Sequence, residues 1–187
     1  MKALGYVTYE EFGRRFFEIA VTEDRVGAAV GAIAGDAFQI GPIAQGPGKI
    51  AKVTAKVRIL EPRVSRQIGE SITFAIRIPL EIDMVVDLRI DRPRFMVFGE
   101  ISLRATAKAA EPLLLILDFA KPRATDITIH VTSKSLRAEV VRIVGGVDAE
   151  IRRFIAAHVA GEIDSPQSEQ AKIIDVAARL DEAWTGI

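Results

Sequence analysis

The amino-acid sequence predicts an α+β fold, in which a long, strongly curved antiparallel sheet is wrapped around one N-terminal and two C-terminal helices. Two observations predict it. Apolar and polar residues alternate through most of residues 49–134, which is typical of strands with one buried face. The apolar period then lengthens to three and four residues over 138–162, as in an amphipathic helix. Neither a linker nor an internal repeat divides the chain, so we expect a single domain over 1–187.

The composition excludes several classes of function. There is no cysteine, which rules out disulfides, zinc–thiolate sites, iron–sulfur clusters and thiol catalysis. Lys+Arg and Asp+Glu both number 25, so the chain lacks the basic excess of a nucleic-acid binder, and no nucleic-acid partner is expected. Neither a secretory leader nor an apolar run long enough to cross a bilayer is recognisable, and we expect a cytoplasmic protein.

An N-terminal unit of one strand and one helix is predicted over 15–34. Its first segment, "RFFEIAV" at 15–21, alternates apolar and polar residues and predicts a short strand. Thr22 is then placed to cap a helix, with Glu23 and Asp24 in its first turn, where carboxylates are favoured by the helix dipole.

A glycine-rich stretch at 41–52, "GPIAQGPGKIAK", has the composition of a phosphate-binding loop. Such a loop needs a hydroxyl residue after its lysine and a helix that starts directly behind it. Here Ile50 follows Lys49, and the next residues alternate as a strand. The stretch is therefore predicted to be a connector between a helix and a strand, and no cofactor is expected.

The longest regular pattern lies between residues 72 and 90, where every even-numbered position is apolar. An average strand has only about 5–6 residues. The segment is therefore either one very long, curved strand or two strands in phase around a bend near Pro79.

Other elements follow from the same patterns. Further strands are predicted at 51–59, 95–108, 113–119 and 127–132. Helices are predicted at 138–162 and 165–185, the second capped by Ser165 with Pro166 in its first turn. One face of this last helix is predicted to carry Ile173, Ala177, Leu180 and Trp184.

Neither a catalytic nor a metal-binding constellation stands out, and the protein is predicted not to be an enzyme. The two histidines, His130 and His158, have no ligand or orienting partner at a suitable spacing, so both are predicted to be solvated. The nucleophile-elbow motif G-x-S-x-G does not occur.

Charged residues on the polar face of 72–90 are predicted to pair with one another. The carboxylates are Glu81, Asp83 and Asp87. Arg77 precedes them and Arg89 follows them on the same face of the strand. A pair of carboxylates of the glycosidase type is the alternative.

Basic residues also occur in pairs at two predicted turns, Arg92/Arg94 and Lys121/Arg123. These turns are either solvated loop tips or places of transient contact with anionic lipid headgroups.

The long apolar face of 72–90 is the feature from which function is predicted. A curved aliphatic sheet around helices often leaves an apolar groove or tunnel, and such a site binds hydrophobic ligands. The expected function is therefore non-enzymatic binding or carriage of a lipid-like or fatty-acid-like molecule. The alternative is a protein–protein interaction or homo-oligomeric assembly module with a fully packed apolar face. The candidate cavity-lining residues are Ile72, Phe74, Ile76, Ile78, Leu80, Ile82, Val86, Val97, Ile101 and Phe154.

The order of these elements resembles that of a known family. A small-residue helix comes first, long amphipathic strands follow, and "VVRIVGGVDAEIRRFIAAHVAGEI" at 140–163 leads to a final helix. This order resembles the tubular lipid-binding superfamily, and the resemblance implies a long helix inside a curved sheet with a lipid between them. The helix-grip fold of the START-like proteins is similar in composition, but it usually ends in one long helix.

Overall fold

A computed structural model of the chain describes residues 5–34, 37–130 and 138–185. These residues form five α-helices and eight β-strands. The helices are α1 (Tyr9–Ala20), α2 (Glu23–Ala34), α3 (Ala138–Ile163), α4 (Pro166–Lys172) and α5 (Val176–Thr185). The strands are β1 (Ala37–Gln45), β2 (Ala51–Ile59), β3 (Arg63–Ile68), β4 (Ile72–Asp87), β5 (Arg94–Ala110), β6 (Leu114–Phe119), β7 (Ile127–His130) and β8 (Ile173–Asp175).

All eight strands belong to one antiparallel sheet with the main order β1-β2-β4-β5-β6-β8. β3 pairs with the first half of β4, and β7 pairs with the middle of β5. β4 and β5 have 16 and 17 residues and are paired over most of their length, so they form the centre of the sheet.

The segment 72–90 therefore contains one long strand, and the proline inside it has a specific place. The first half of β4 pairs with β3 and the second half with β2. Pro79 lies where the neighbour changes, and its carbonyl accepts a hydrogen bond from the Leu60 amide in the connection between β2 and β3. The missing N–H of proline thus falls at a gap in the ladder, where it costs little.

The inner face of the sheet is apolar and is covered by helices. Every even-numbered residue of β4 is buried, which confirms the predicted orientation of this strand. α2 contributes Val26 and Val30 to the same core. The residues from α3 are Val147, Ile151, Ile155, Ala156, Val159 and Ile163. The predicted fold class, an α+β fold with a strongly curved antiparallel sheet around helices, is confirmed.

The prediction of a strand at 15–21 is wrong, because residues 15–20 form the second half of helix α1. Thr8 caps α1 through its hydroxyl, which accepts a hydrogen bond from the Glu11 amide. Glu11 then pairs with Arg14 and Arg15 at distances of 2.7 and 2.6 Å, at the i+3 and i+4 spacing of a helix. These local pairs favour a helix over the short alternation that predicted a strand. The next helix, α2, begins after Thr22 as expected.

The stretch 41–52 is only partly a connector. Residues 41–45 belong to β1, which was not predicted, and residues 47–49 form a single 3-10 turn before β2. β3 was not predicted either, because its sequence "RVSRQI" has few apolar residues. The last part of the predicted strand region, 131–134, lies outside the described residues.

The C-terminal helices are confirmed in part. α3 matches the predicted helix 138–162, and Ser165 caps α4 as predicted by accepting a hydrogen bond from the Ser168 amide. The single helix predicted over 165–185 is wrong, because β8 separates α4 from α5 and pairs with β6. Ile173 is therefore in a strand and does not share a helical face with Ala177, Leu180 and Trp184, which lie on α5.

The orientation of β4 predicts a large difference between two neighbouring substitutions. Ile76→Asp places an unpaired carboxylate in the core, so the free energy of unfolding should fall by more than about 4 kcal/mol. Arg77→Asp removes only an exposed ion pair with Glu100, at 3.8 Å, and should cost less than about 1 kcal/mol. Urea unfolding of the two variants measures the difference. Equal losses would contradict the assignment of inner and outer faces.

Candidate ligand-binding groove

The structure brings nine of the ten predicted cavity-lining residues together in the core, and it places the tenth elsewhere. The nine are buried on the inner face of the sheet: Ile72, Phe74, Ile76, Ile78, Leu80, Ile82, Val86, Val97 and Ile101. Phe154 lies on an outward side of α3, with 51% of its surface exposed.

The centre of the inner face is filled by protein atoms. The even-numbered side chains from Phe74 to Val86 have at most 1% of their surface exposed. A water-filled space beside them would leave more of their surface accessible, so they are in contact with other side chains of the core. Any space for a ligand therefore has to lie at the border of the sheet.

One such space lies between α3 and the edge strand β1. This groove, called the α3–β1 groove here, has a volume of about 490 Å³ and is shallow, with most of it open to solvent. Its residues are Pro42, Ile43, Glu150, Arg153, Phe154 and Ala157. Phe154, Pro42, Ile43 and Ala157 make its surface mainly apolar, while Glu150 and Arg153 are one helical turn apart on α3.

A bulge in β1 shapes the floor of this groove. The pairing with β2 moves from Ile40–Ala55 to Ile43–Val53, so β1 contains one residue more than β2 between these pairs. Gly41 in the bulge has φ of +96°, and a Cβ on it would lie 2.5 Å from the Val53 carbonyl oxygen. Only glycine fits there, and the bulge places Pro42 on the side of α3.

Beside the groove, an aromatic pair joins α3 to β1. The imidazole ring of His158 stacks on Phe38 with a distance of 3.8 Å between ring centroids. His158 is half-buried, so the prediction of a solvated histidine is wrong for it, whereas His130 is exposed as predicted. The stack fixes the distance between the helix and the edge strand one turn beyond Phe154.

A second depression, of about 590 Å³, lies between α2 and the connection from β2 to β3. Three carboxylates line it, from Glu23, Asp24 and Glu61, together with the small residues Gly27 and Gly31. The Glu23 carboxylate accepts a hydrogen bond from the Arg66 amide at 2.7 Å and so has a structural role. The negative charge makes this depression unsuitable for an anionic lipid-like ligand.

The outer face of the sheet carries paired charges, as predicted, but with other partners. Asp83 accepts hydrogen bonds from Arg94, and Asp87 forms an ion pair with Arg92 at 2.9 Å. Glu81 pairs with Arg58 across to β2. The hydrogen bond from Arg94 lowers the pKa of the Asp83 carboxyl, and that from the Arg89 amide lowers the pKa of Asp87. Asp83 and Asp87 are therefore ionised at neutral pH and have no free proton for acid catalysis.

A basic depression lies on the outer face, where the connection from β6 to β7 passes β4 and β5. It has a volume of about 570 Å³ and contains the cations Arg77, Arg104, Lys121 and Arg123. Asp126 also lines it, and it binds Arg123. Lys121 and Arg123 form one of the two basic pairs noted in the sequence. Lys121 pairs with Asp164 at 2.7 Å and Arg123 with Asp126, just as Arg92 and Arg94 of the other pair are engaged by Asp87 and Asp83.

Among residues 5–34, 37–130 and 138–185, the side chains of His, Asp and Glu form no group of three that could hold a metal ion. Within the same ranges, none of the helices combines the length and the apolar character needed to cross a bilayer. The chain matches no protein-family model, and no curated protein matches it. A function for this chain therefore has to be inferred from the geometry of its grooves and surfaces.

Sequence reasoning found only Phe154 among the groove residues. It did not find Pro42 and Ile43, because the glycine–proline pair at 41–42 was interpreted as part of a connector instead of a bulged strand. The available signal was Phe154 itself, which lies one position away from the buried series Ile151, Ile155 and Val159 on α3. A large aromatic residue beside the buried stripe indicates a second apolar surface.

Alanine substitutions at two glycines, one in the bulge and one in α3, should have opposite effects on stability. Gly41→Ala should lower the free energy of unfolding by about 2–3 kcal/mol, because alanine is strained at this φ and its Cβ meets a backbone carbonyl. Gly161→Ala in α3 meets no atom within 4 Å and should stabilise the protein by up to about 1 kcal/mol. Thermal and urea unfolding measure both effects. A neutral Gly41→Ala variant would show that the bulge is not required.

Proposed function

We propose that the protein binds or carries a lipid-like molecule, without catalysis, in the α3–β1 groove. The observation that carries the proposal is the half-exposed ring of Phe154, which forms an apolar surface together with Pro42, Ile43 and Ala157 beside an arginine. An acyl chain fits the apolar part, and a carboxylate or phosphate headgroup fits Arg153. The resemblance to tubular lipid-binding proteins extends to α3 lying inside a curved sheet but not to the position of the ligand, because side chains fill the space between this helix and the sheet.

The size of the groove limits the expected affinity. Its volume of about 490 Å³ lies within the usual range for small-molecule sites. About seven methylenes in contact with the groove would contribute roughly 6 kcal/mol. A charge-assisted bond to Arg153 would add about 1–2 kcal/mol, and immobilising the ligand offsets part of this sum. We therefore expect dissociation constants between millimolar and micromolar.

A titration with a fluorescent fatty acid tests the proposal. Phe154→Asp should weaken binding at least tenfold, because it places a carboxylate against the acyl chain. The residue is already exposed, so the fold should tolerate the change. Phe98→Asp is the matched control: Phe98 is 46% exposed on the outer face of the sheet, and its substitution should leave the affinity unchanged. Equal losses in the two variants, or no binding by the unmodified protein, would contradict the proposal.

The headgroup contact has its own control. Arg153→Glu should weaken the binding of a fatty acid but not that of the corresponding fatty alcohol, because the alcohol has no charge for Arg153 to pair with. The loss for the acid should reach about tenfold, since a hydrogen bond to a charged group contributes about 1.5 kcal/mol or more and about 1.4 kcal/mol corresponds to tenfold.

We also propose a transient contact of the basic depression with anionic membranes. A basic residue close to such a surface contributes about 1 kcal/mol. Reversal of two cations in the variant Arg104→Glu/Arg123→Glu should therefore weaken binding to phosphatidylserine vesicles at least tenfold in a sedimentation assay. The control Lys52→Glu/Lys56→Glu changes the net charge equally on strand β2 and should have a smaller effect. Equal effects would show that net charge alone matters.

Protein–protein interaction or homo-oligomeric assembly is a second candidate function. It is favoured by the tight packing of the inner face of β4, because an assembly module needs no internal space. It is also favoured by α1, which has no buried residue although it is strongly amphipathic.

A further inference from the structure

Helix α1 presents an apolar strip to solvent. Tyr9, Phe12 and Ile19 lie on one side of the helix and are 96%, 62% and 73% exposed. Tyr6 and Val7 extend the strip beyond the start of the helix and are also exposed. An exposed strip of this length on a single helix is typical of an interaction surface.

α1 is attached to the rest of the protein through its C-terminal end and through the side that carries Phe16 and Phe17, next to the strip. The guanidinium group of Arg66 in β3 donates hydrogen bonds to the carbonyl oxygens of Glu18 and Val21, at 2.7 and 2.8 Å. Phe16 and Phe17 are half-buried and pack against the core. The helix is thus held in place while its strip remains available for a partner.

The charges along the strip are self-complementary. Glu11 and Arg15 are one helical turn apart and lie on the same border of the strip, beside Phe12 and Ile19. When two such helices pack their strips against each other antiparallel, around a two-fold axis level with the midpoint between Glu11 and Arg15, each Arg15 comes beside the Glu11 of the other copy.

We infer that α1 is a homodimerisation surface, on which two copies of the chain pack their α1 strips antiparallel. In this arrangement the apolar ends also match, since Ile19 of one copy meets Val7 of the other. This inference specifies the surface for the assembly candidate and rests on it. It is independent of the α3–β1 groove, to which α1 contributes no residue.

The available area indicates a weak dimer. Tyr6, Tyr9 and Phe12 from both copies can bury together about 900 Å², at roughly 150 Å² for each aromatic ring. Specific interfaces start near 1,000–1,200 Å². The flanking aliphatic residues bring the total into this range, so we expect dissociation in the micromolar range.

The charge pattern favours a second copy over a membrane surface. Helices that lie on bilayers are usually rich in Lys and Arg on their polar face. The polar face of α1 has three carboxylates, Glu10, Glu11 and Glu18, and two arginines that pair with them. This face has a slight negative charge and would be repelled by anionic lipid.

A charge-exchange experiment with the full chain tests the inference by sedimentation velocity. The unmodified protein should dimerise as its concentration rises to about 100 µM, well above a micromolar dissociation constant. Glu11→Arg and Arg15→Glu should each be monomeric, because each places like charges opposite one another at both ends of the interface. A mixture of these two variants should dimerise, since every Arg then meets a Glu of the other chain.

The same design provides its own controls. Both variants lose the 11–15 ion pair within the helix, so a merely local effect would persist in the mixture. Ile90→Ser removes an equally exposed apolar residue elsewhere and should leave dimerisation intact. A monomeric unmodified protein, a monomeric mixture, or variants that dimerise as well as the unmodified protein would overturn the inference.

If all variants dimerise as well as the unmodified protein, α1 is not the interface, but homo-oligomeric assembly remains a candidate function. Binding of monomers to phosphatidylcholine vesicles through α1 would assign the strip to a membrane instead.

Discussion

The burial of one side of β4 is the constraint on which the rest of the structure depends. This strand presents eight buried residues to the core, and each contributes about 1.5–3 kcal/mol when it is removed from water. Together these contributions are comparable with or larger than the net stability of a typical domain, about 5–15 kcal/mol. A strand of 16 residues cannot bury so many side chains against a single flat neighbour, and the sheet therefore curves around α2 and α3.

The unequal lengths of the strands follow from this constraint and create the irregular places of the molecule. β4 is longer than β2 or β3, so it pairs with both in turn, and Pro79 occupies the position where one partner replaces the other. At the border of the sheet, β1 bulges at Gly41, because a residue without a Cβ can take the positive φ and the close approach to Val53 that the bulge requires. The α3–β1 groove is a consequence of this bulge.

The sequence predicts the parts of the fold that depend on periodicity and misses those that depend on contacts distant in the chain. The long alternation gives β4 and its inner face correctly because that pattern is created by burial itself. β3 and β8 are short and polar or exposed, and they form only because β4 and β6 offer free hydrogen-bonding edges. At α1, the alternation of Phe17, Ile19 and Val21 is equally compatible with a helix, and the Thr8 cap and the ion pairs of Glu11 favour the helix. For the site, sequence alone identifies apolar residues, but it does not distinguish core residues such as Ile78 from surface residues such as Phe154, because both have the same polarity.

These features give the molecule a filled core and a separate, open apolar groove with an arginine beside it. The central claim is that this groove takes up a lipid-like molecule. Native mass spectrometry of the protein after gentle purification tests the claim most directly. It should detect, beside the bare chain, a species heavier by the mass of one fatty acid or phospholipid, which solvent extraction removes. If only the bare mass is found, and added fatty acid produces no such species either, the claim is contradicted.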